Sequence, residues 1–276
     1  MVPRANKKFL LYGNVFFQMM LVFFTFMPFY FMVISSVKTN PQIMESYFMV
    51  TAPFHWENYG KAFSKVIYYL LNSVVICTAT VAGVTLLACI SAYIFARYEF
   101  VGKKVLFMFF LSFLMIPGVL TLIPQFVLMV KLHIIGTRWA AILPYIAYGQ
   151  IMFVFILKTF IEGIPKDLFD SAKIDGANAV RSFINVVLPL AKPIITSLGL
   201  MNFLNNWNDF IWPLLVLKGD RMKTVTVGLY SFTDAQQIQY GMLFAGFVIA
   251  SLPLILLFSF NMKYFIQGVT SGAIKA

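Results

Sequence analysis

The sequence predicts an all-α integral membrane protein with six transmembrane helices, and two observations support that fold class. Hydrophobic residues make up 61% of the 276 residues and charged residues only 11%, whereas a soluble domain is about half apolar and about a quarter charged. Long apolar stretches, nearly free of charge, recur along the chain. A water-soluble globule of this size could not cover so much apolar surface, and disorder needs low hydrophobicity. The composition therefore excludes a soluble enzyme and a disordered chain.

Six apolar stretches are each long enough to cross the hydrocarbon core as a helix, which takes about 20 residues. In lipid the backbone must form its own hydrogen bonds, so continuous runs of this length are helices rather than the alternating segments of a barrel. Five stretches are free of charge and the other contains only Asp209. The predicted spans, within a single transmembrane domain of residues 1–276, are 11–35, 70–96, 105–130, 139–158, 193–217 and 241–262.

The basic residues indicate which side of the membrane each loop faces. With both termini inside, 13 of the 21 Lys and Arg residues fall in inside segments and 8 in outside loops, as the positive-inside rule predicts. The formal charge of +11 would also suit a nucleic-acid binder. The apolar fraction argues against nucleic acid, as does the absence of any Lys/Arg run longer than two. We therefore expect cytoplasmic termini and a cytoplasmic loop at 158–192.

This loop is predicted to form a helix-turn-helix hairpin at about residues 161–192. Pro165 suits the first turn of a helix, where its missing N–H is not needed, and the carboxylate of Asp167 favours the positive end of the helix. Asp175-Gly176 then predicts a break, because glycine reaches dihedral angles that other residues avoid. From these residues alone the hairpin is either a simple connection between two spans or a docking element for a cytoplasmic partner.

Several motifs resemble those of one transporter family, the permeases of ABC importers, and in particular the second permease component of the carbohydrate (maltose-type) binding-protein-dependent systems. The loop is similar to the EAA loop of these permeases, and the WNDFIWPL stretch is similar to their WNDFLWPL segment. The end of the chain resembles their RYFVxGLTAGAVK ending, so the resemblance covers nearly the whole sequence. The segments that carry it are Ile164-Pro165, Asp170-Ser171-Ala172, Asp175-Gly176-Ala177, Leu188-Pro189, 207–214 and 264–275.

The resemblance implies a permease subunit of an ATP-driven importer of sugars or oligosaccharides in a bacterial or archaeal cytoplasmic membrane. Its implied partners are a second homologous permease, two ATPase subunits, an extracytoplasmic sugar-binding protein and the carbohydrate substrate, within membrane lipid. ATP and Mg²⁺ would bind to the ATPase subunits, since this chain has no G-x-x-x-x-G-K-[ST] phosphate loop. The chain is therefore expected to be non-catalytic, with no cofactor or metal of its own.

In this family the EAA hairpin inserts into a cleft on an ATPase subunit, so the segment 164–189 is expected to couple ATPase motion to the pathway. Small residues allow close approach and a fixed turn sets the angle of the hairpin. The sequence departs from the family at two positions, with Asp170 in place of Glu and Ser171 in place of the first Ala. The expected ATPase-coupling residues are Asp170, Ser171, Ala172, Asp175, Gly176 and Ala177.

A second polar cluster lies in the fifth predicted span and comprises Asn205, Asn206, Trp207, Asn208 and Asp209. A carboxylate near the middle of the membrane costs at least ~2.5 kcal/mol unless it is paired or solvated. The cluster is either a lining for the sugar, with Trp207 stacked on a pyranose face, or a hydrogen-bond network that holds the two permeases together. Other polar positions within predicted spans, Gln125, Gln150 and Asn202, are weaker candidates.

The main alternative is a secondary transporter or channel that works without ATP. Such a protein is expected to show an ion-coupling carboxylate pair, a selectivity loop or an internal repeat, and Asp209 is the lone charge in the middle of a predicted span. An intramembrane enzyme is a more distant alternative, because no paired nucleophile and base stand out at membrane depth.

Overall fold

The computed structural model describes the backbone of residues 4–233 and 238–273, and the side chains of 12–233 and 238–263. Within these ranges the chain is helical and contains no strand. The long helices are α1 (Arg4–Ser36), α3 (Glu57–Arg97), α6 (Trp139–Glu162), α9 (Leu188–Asn208) and α12 (Tyr240–Ala273). The shorter helices are α2 (Asn40–Glu45), α4 (Lys103–Ser112), α5 (Gly118–Lys131), α7 (Lys166–Ile174), α8 (Ala179–Ser182), α10 (Ile211–Val216) and α11 (Val225–Tyr230).

The described helices confirm the all-α membrane class. Five of them are long and apolar enough to cross a membrane, and there are six candidate spans if one bent pair counts as a single span. The predicted spans 11–35, 70–96, 139–158 and 241–262 lie within α1, α3, α6 and α12.

The third predicted span differs from the structure, which breaks the segment 105–130 into two helices. α4, extended by a 3-10 turn to Met115, meets α5 at an angle of 101°. Ile116 is extended, with φ −84° and ψ 114°, and it precedes Pro117. A residue before proline is pushed out of the helical region by contact with the proline ring, and proline itself has no N–H to donate. The Ile116-Pro117 pair therefore accounts for the break.

The fifth span also differs from the predicted segment 193–217, because the helix begins and ends earlier. α8 continues through a π turn at Phe183–Val187 into α9, so that one span candidate runs from Ala179 to Asn208. Pro189 and Pro193 lie inside this helix without ending it. Pro189 directly follows the π turn, a local adjustment of the kind that satisfies backbone groups left unpaired by a proline. The second arm of the predicted hairpin is thus the first part of the fifth span.

The described residues form two compact units. One unit comprises those up to Ile67 together with those of Leu229–Leu252, and the other comprises Tyr68–Gly228 and the described residues from Pro253 onward. α6 packs against α9 in the larger unit, and α10 packs against α5 and α6. Its core includes Ala88 and Ala92 of α3, both 0% exposed. Small side chains of this kind let transmembrane helices approach closely.

A buried polar network in the larger unit joins α3, the start of α6 and the segment 218–224. Asn72 is 1% exposed, and its Oδ1 accepts from Arg138 Nε at 3.0 Å and Nη2 at 2.9 Å. Its Nδ2 donates to the backbone carbonyls of Arg221 at 2.7 Å and Lys223 at 3.1 Å. One amide side chain of α3 therefore satisfies groups from two other segments.

The smaller unit buries a charged side chain where α1 leaves its span. Lys38 is 1% exposed, and its Nζ donates to the backbone carbonyls of Ser46 and Met49 at 2.7 and 2.5 Å. Burial lowers the pKa of Lys38. A buried ammonium needs such acceptors, because removing a charge from water is costly.

The neighbouring Asn40 joins two distant parts of the chain within the same unit. Its Nδ2 donates to the carbonyl of Ile238 at 2.5 Å, and its Oδ1 accepts from the N–H of Tyr240 at 2.9 Å. The second bond satisfies the first N–H of α12, a group that an isolated helix end would leave unpaired.

Candidate functional site

The hairpin predicted at 161–192 begins with α7, whose ends match the local sequence. Pro165 precedes the helix, Asp167 lies in its first turn and Lys173 in its last turn, which is the charge order that the helix dipole favours. After Ile174 the chain reverses through Gly176 at φ 79°. The N–H of Gly176 donates to Lys173 O at 3.0 Å and that of Ala177 donates to Ala172 O at 2.9 Å.

The second arm starts at a side-chain cap. Asn178 is extended, and its Oδ1 accepts from the N–H of Arg181 at 2.9 Å. Asparagine caps a helix in this way because its side-chain oxygen replaces a missing backbone acceptor. The cap and the glycine turn together fix the angle between α7 and α8.

All six expected coupling residues lie in the second half of α7 and the turn that follows it. Asp170, Ser171, Asp175 and Gly176 are exposed, whereas Ala172 and Ala177 are half-buried. The structure therefore brings this set together at one end of the hairpin, with both carboxylates facing solvent.

The hairpin also exposes several apolar side chains. Ile174 is 86% exposed and Val180 is 63% exposed, and Leu168 and Ile184 are about half exposed. Exposed apolar side chains that lie outside the membrane are candidates for burial against a partner. Small residues, carboxylates and apolar side chains thus share one projecting element.

The second candidate site lies where α9 ends at Asn208. Asp209 is extended, and its Oδ2 accepts from the Tyr145 hydroxyl of α6 at 2.7 Å. Its Oδ1 accepts from the N–H of Ile211 at 3.1 Å, and its backbone carbonyl accepts from Thr226 Oγ1 at 2.8 Å. The carboxylate is therefore paired within its own chain, at a break between two helices.

The five residues of the polar cluster do not form one surface. Trp207 is 3% exposed, and its ring stacks on Phe203 with the centroids 5.5 Å apart. The stacking on a sugar considered for Trp207 therefore has no free ring face in this structure, because the indole fills the core. Asn205 and Asn208 are exposed, and Asn206 is half-buried and donates to Asn202 Oδ1 at 3.0 Å.

Sequence reasoning missed the partners of Asp209. Tyr145 is 64 residues away along the chain and Thr226 is 17 residues away, and neither belongs to a motif. Only the mid-span position of Asp209 signalled that such partners must exist, because an unpaired carboxylate is costly there.

The sequence of this chain is similar to a known protein family and to several characterised transport proteins. Residues 84–271 match the family described as binding-protein-dependent transport system inner membrane component. The arabinooligosaccharides transport system permease protein AraQ of Bacillus subtilis is 32% identical over 268 residues, covering 95% of this chain and 94% of AraQ. The diacetylchitobiose uptake system permease protein NgcG of Streptomyces coelicolor is 31% identical, covering 90% of this chain and 83% of NgcG.

A solved structure shares the fold over nearly the whole chain. The crystal structure of a bacterial ABC transporter involved in the import of the acidic polysaccharide alginate contains a chain that aligns with a TM-score of 0.82. The alignment covers 96% of this chain and 99% of that chain at 17% identity.

Proposed function

Because this chain belongs to the family of binding-protein-dependent transport system inner membrane components, we propose that it is a permease subunit of an ATP-driven importer of sugars or oligosaccharides. It is a multi-pass membrane protein. The transport of oligosaccharides that the names of AraQ and NgcG state supports the substrate class.

The proposed complex pairs this chain with a second homologous permease, and the two enclose the pathway. Two ATPase subunits bind ATP and Mg²⁺ and dock on the cytoplasmic side, while an extracytoplasmic binding protein delivers the carbohydrate. In this arrangement both termini and the hairpin are cytoplasmic, which agrees with the distribution of basic residues.

The hairpin is the proposed contact with an ATPase subunit, and the observation that carries this proposal is its exposed apolar end. Ile174 projects from the last turn of α7 with 86% of its surface exposed, directly before the glycine turn. Burial of such an exposed apolar side chain against a partner supplies binding energy. The exposed carboxylates of Asp170 and Asp175 suit basic groups on the partner.

For the polar cluster, the geometry favours a structural role for Asp209 over direct contact with the sugar. Its carboxylate already accepts from Tyr145 and Ile211. We assign to Asp209 the task of fixing the break between α9 and α10, and we assign contact with substrate or partner permease to the exposed Asn205 and Asn208.

The experiment that tests this function is reconstitution of the chain with its partner subunits in proteoliposomes. We expect uptake that requires both ATP and the binding protein. Ile174→Asp should abolish uptake and reduce co-purification of the ATPase, because a carboxylate in the interface would be desolvated. The matched control is Val101→Asp, since Val101 is fully exposed in the loop after α3 and lies outside the hairpin.

Two outcomes would contradict the proposal. Uptake that continues without ATP and binding protein would favour a secondary transporter or channel. Normal uptake and ATPase binding by Ile174→Asp would remove the hairpin as the docking element.

A further inference from the structure

Arg97, in the last turn of α3, contacts the first arm of the hairpin, which is α7 and the residues just before it. The guanidinium carbon of Arg97 lies 3.3 Å from the ring centroid of Phe169 in α7, and its Nη2 donates to the carbonyl of Ile164 at 3.4 Å. The Nε is buried and has no hydrogen-bond partner in the described part of the chain. Stacking on Phe169 is therefore the principal contact that keeps this group in place, since a planar cation is attracted to an aromatic face.

One helical turn earlier on α3, Tyr93 contacts the second arm of the hairpin, which is α8 and the π turn that follows it. Its hydroxyl donates to the carbonyl of Ala179, the first residue of α8, at 3.3 Å. Its ring packs on Phe183 in the π turn, with the centroids 5.2 Å apart. Residues four apart lie on the same face of a helix, so one face of α3 contacts both arms.

These contacts differ in kind from the connections at the two ends of the hairpin. α6 and α9 are joined to the hairpin through the backbone, so they follow its movement by covalent connection. α3 has no such connection, and it touches the hairpin only through side chains. It nevertheless shares the core with α6 and α9 through Val84, Ala88 and Ala92.

We propose that Tyr93 and Arg97 are positioning residues that fasten the hairpin to α3, so that the hairpin and the adjoining part of α3 move as one body during transport. This inference rests on the proposed function, since it takes the hairpin as the element that an ATPase subunit displaces. The ATPase subunit then moves the hairpin through its exposed side. Tyr93 and Arg97 transmit this movement to α3, which is not covalently joined to the hairpin.

The first test measures how many substrate molecules are imported per ATP hydrolysed by the reconstituted complex. We expect Arg97→Gln to lower this ratio at least about fivefold, the lower end of typical coupling effects, while the complex still assembles and hydrolyses ATP. Arg97→Lys should recover only part of the loss, because an ammonium is a point charge and lacks the flat stacking surface. Tyr93→Leu should act like Arg97→Gln, and Tyr93→Phe should keep most of the coupling.

A double variant separates the specific contact from general damage. If stacking is the link, Arg97→Gln combined with Phe169→Leu should lower the ratio no further than either change alone. The control is Lys104→Gln, which removes a positive charge from an exposed side chain seven residues beyond Arg97 and should leave the ratio unchanged.

The second test follows the movement directly with spin labels at Lys173 in the hairpin and Ile90 on α3, both exposed positions. Cys77 and Cys89 are buried, so labels should attach at the introduced cysteines. In the wild-type background the distance between labels should be the same in the resting complex and in the ATP-trapped complex. Arg97→Gln should broaden or shift that distance in the trapped state.

Two results would overturn the inference while leaving the proposed function intact. One is a wild-type distance that changes between the two states, and the other is an Arg97→Gln complex that imports as many molecules per ATP as wild type. Failure of the proposed function has a different signature, because the wild-type complex would then show no ATP-dependent uptake at all.

Discussion

Gly176 is the residue whose backbone sets the angle of the hairpin. Its φ of 79° lies in the left-handed region, and an added Cβ would meet no atom within 4 Å. A side chain at this position would therefore cost about 1–2 kcal/mol through backbone strain alone. We predict that Gly176→Ala raises amide hydrogen exchange in α7 and α8 by about tenfold, since about 1.4 kcal/mol corresponds to that factor.

Two variants make this test specific. Gly118→Ala should leave exchange unchanged, because Gly118 lacks a positive φ and an added Cβ there also meets nothing. Gly176→Asn should fall between wild type and Gly176→Ala, since asparagine tolerates the left-handed region better than alanine. Equal exchange rates in Gly176→Ala and wild type would show that the positive φ at position 176 does not require glycine.

Asp209 supports the second prediction at this scale. Replacing it with leucine leaves the part-buried Tyr145 hydroxyl and the more exposed Ile211 N–H without their acceptor, and an unsatisfied donor away from water costs about 1–3 kcal/mol. We expect Asp209→Leu to lower the thermal unfolding midpoint of the purified complex. In a Tyr145→Phe background the same change should cost less, because one of the stranded donors is already absent. If the losses of stability from Asp209→Leu and Tyr145→Phe simply add in the double variant, the two side chains do not interact energetically.

These two residues show what the sequence can predict about a site. The turn at Gly176 is local, so the Asp175-Gly176 pair was enough to predict it. The environment of Asp209 depends on a tyrosine 64 residues away and on how α6 packs against α9. The charge pattern predicted that Asp209 needs a partner, but only packing decides which side chain supplies it. The same packing buries Trp207, which its motif alone could not indicate.

Among the structural elements, α3 is attached to the segment 218–224 by Asn72 and by the hydroxyl of Tyr69, which donates to Asp220. Asn72→Leu keeps the approximate size of the side chain but strands the Arg138 guanidinium and two backbone carbonyls. We expect the free energy of unfolding to fall by about 3 kcal/mol, in the upper range for a single substitution. Asn14→Leu is the matched control, because Asn14 is exposed on α1. A small effect in Asn72→Leu would mean that water replaces the lost amide.

The ends of the helices were harder to predict than their existence. Long apolar runs predicted most of the spans, because the hydrocarbon core demands a minimum length. Prolines gave opposite outcomes: Pro117 accompanies a bend of 101°, whereas Pro189 and Pro193 lie within a continuous helix. Pro189 directly follows the π turn at Phe183–Val187, a local backbone adjustment that composition does not record.

For the whole molecule, the proposed orientation can be tested by labelling from either side of the membrane. The span Ala179–Asn208 separates Asn178 from Lys218, and both side chains are exposed. We predict that cysteines at these positions react from opposite sides in oriented vesicles, with Asn178→Cys reached from the cytoplasmic side. The unchanged chain serves as the control, since its two cysteines are buried. Labelling of both sites from one side would contradict the orientation.

The family assignment was the part of the whole-molecule description that the sequence predicted most fully, because several motifs in their correct order specify it together. The division into two compact units was not predicted. Unit boundaries at 67/68, 228/229 and 252/253 fall within or near apolar helices, where no change of composition marks them. The end of the chain that resembles the family, 264–275, lies outside the residues whose side chains the structure describes.

The bonds of Asn40 also set an order of events during synthesis. Its two backbone partners are 198 and 200 residues further along the chain. A ribosome adding about 5–20 residues per second takes about 10–40 seconds to reach them. During that interval α1 and α2 are already made, yet both polar atoms of the Asn40 side chain lack their final partners. A chain that stops before residue 238 never makes these two bonds, so they form only in a chain that has reached the start of α12.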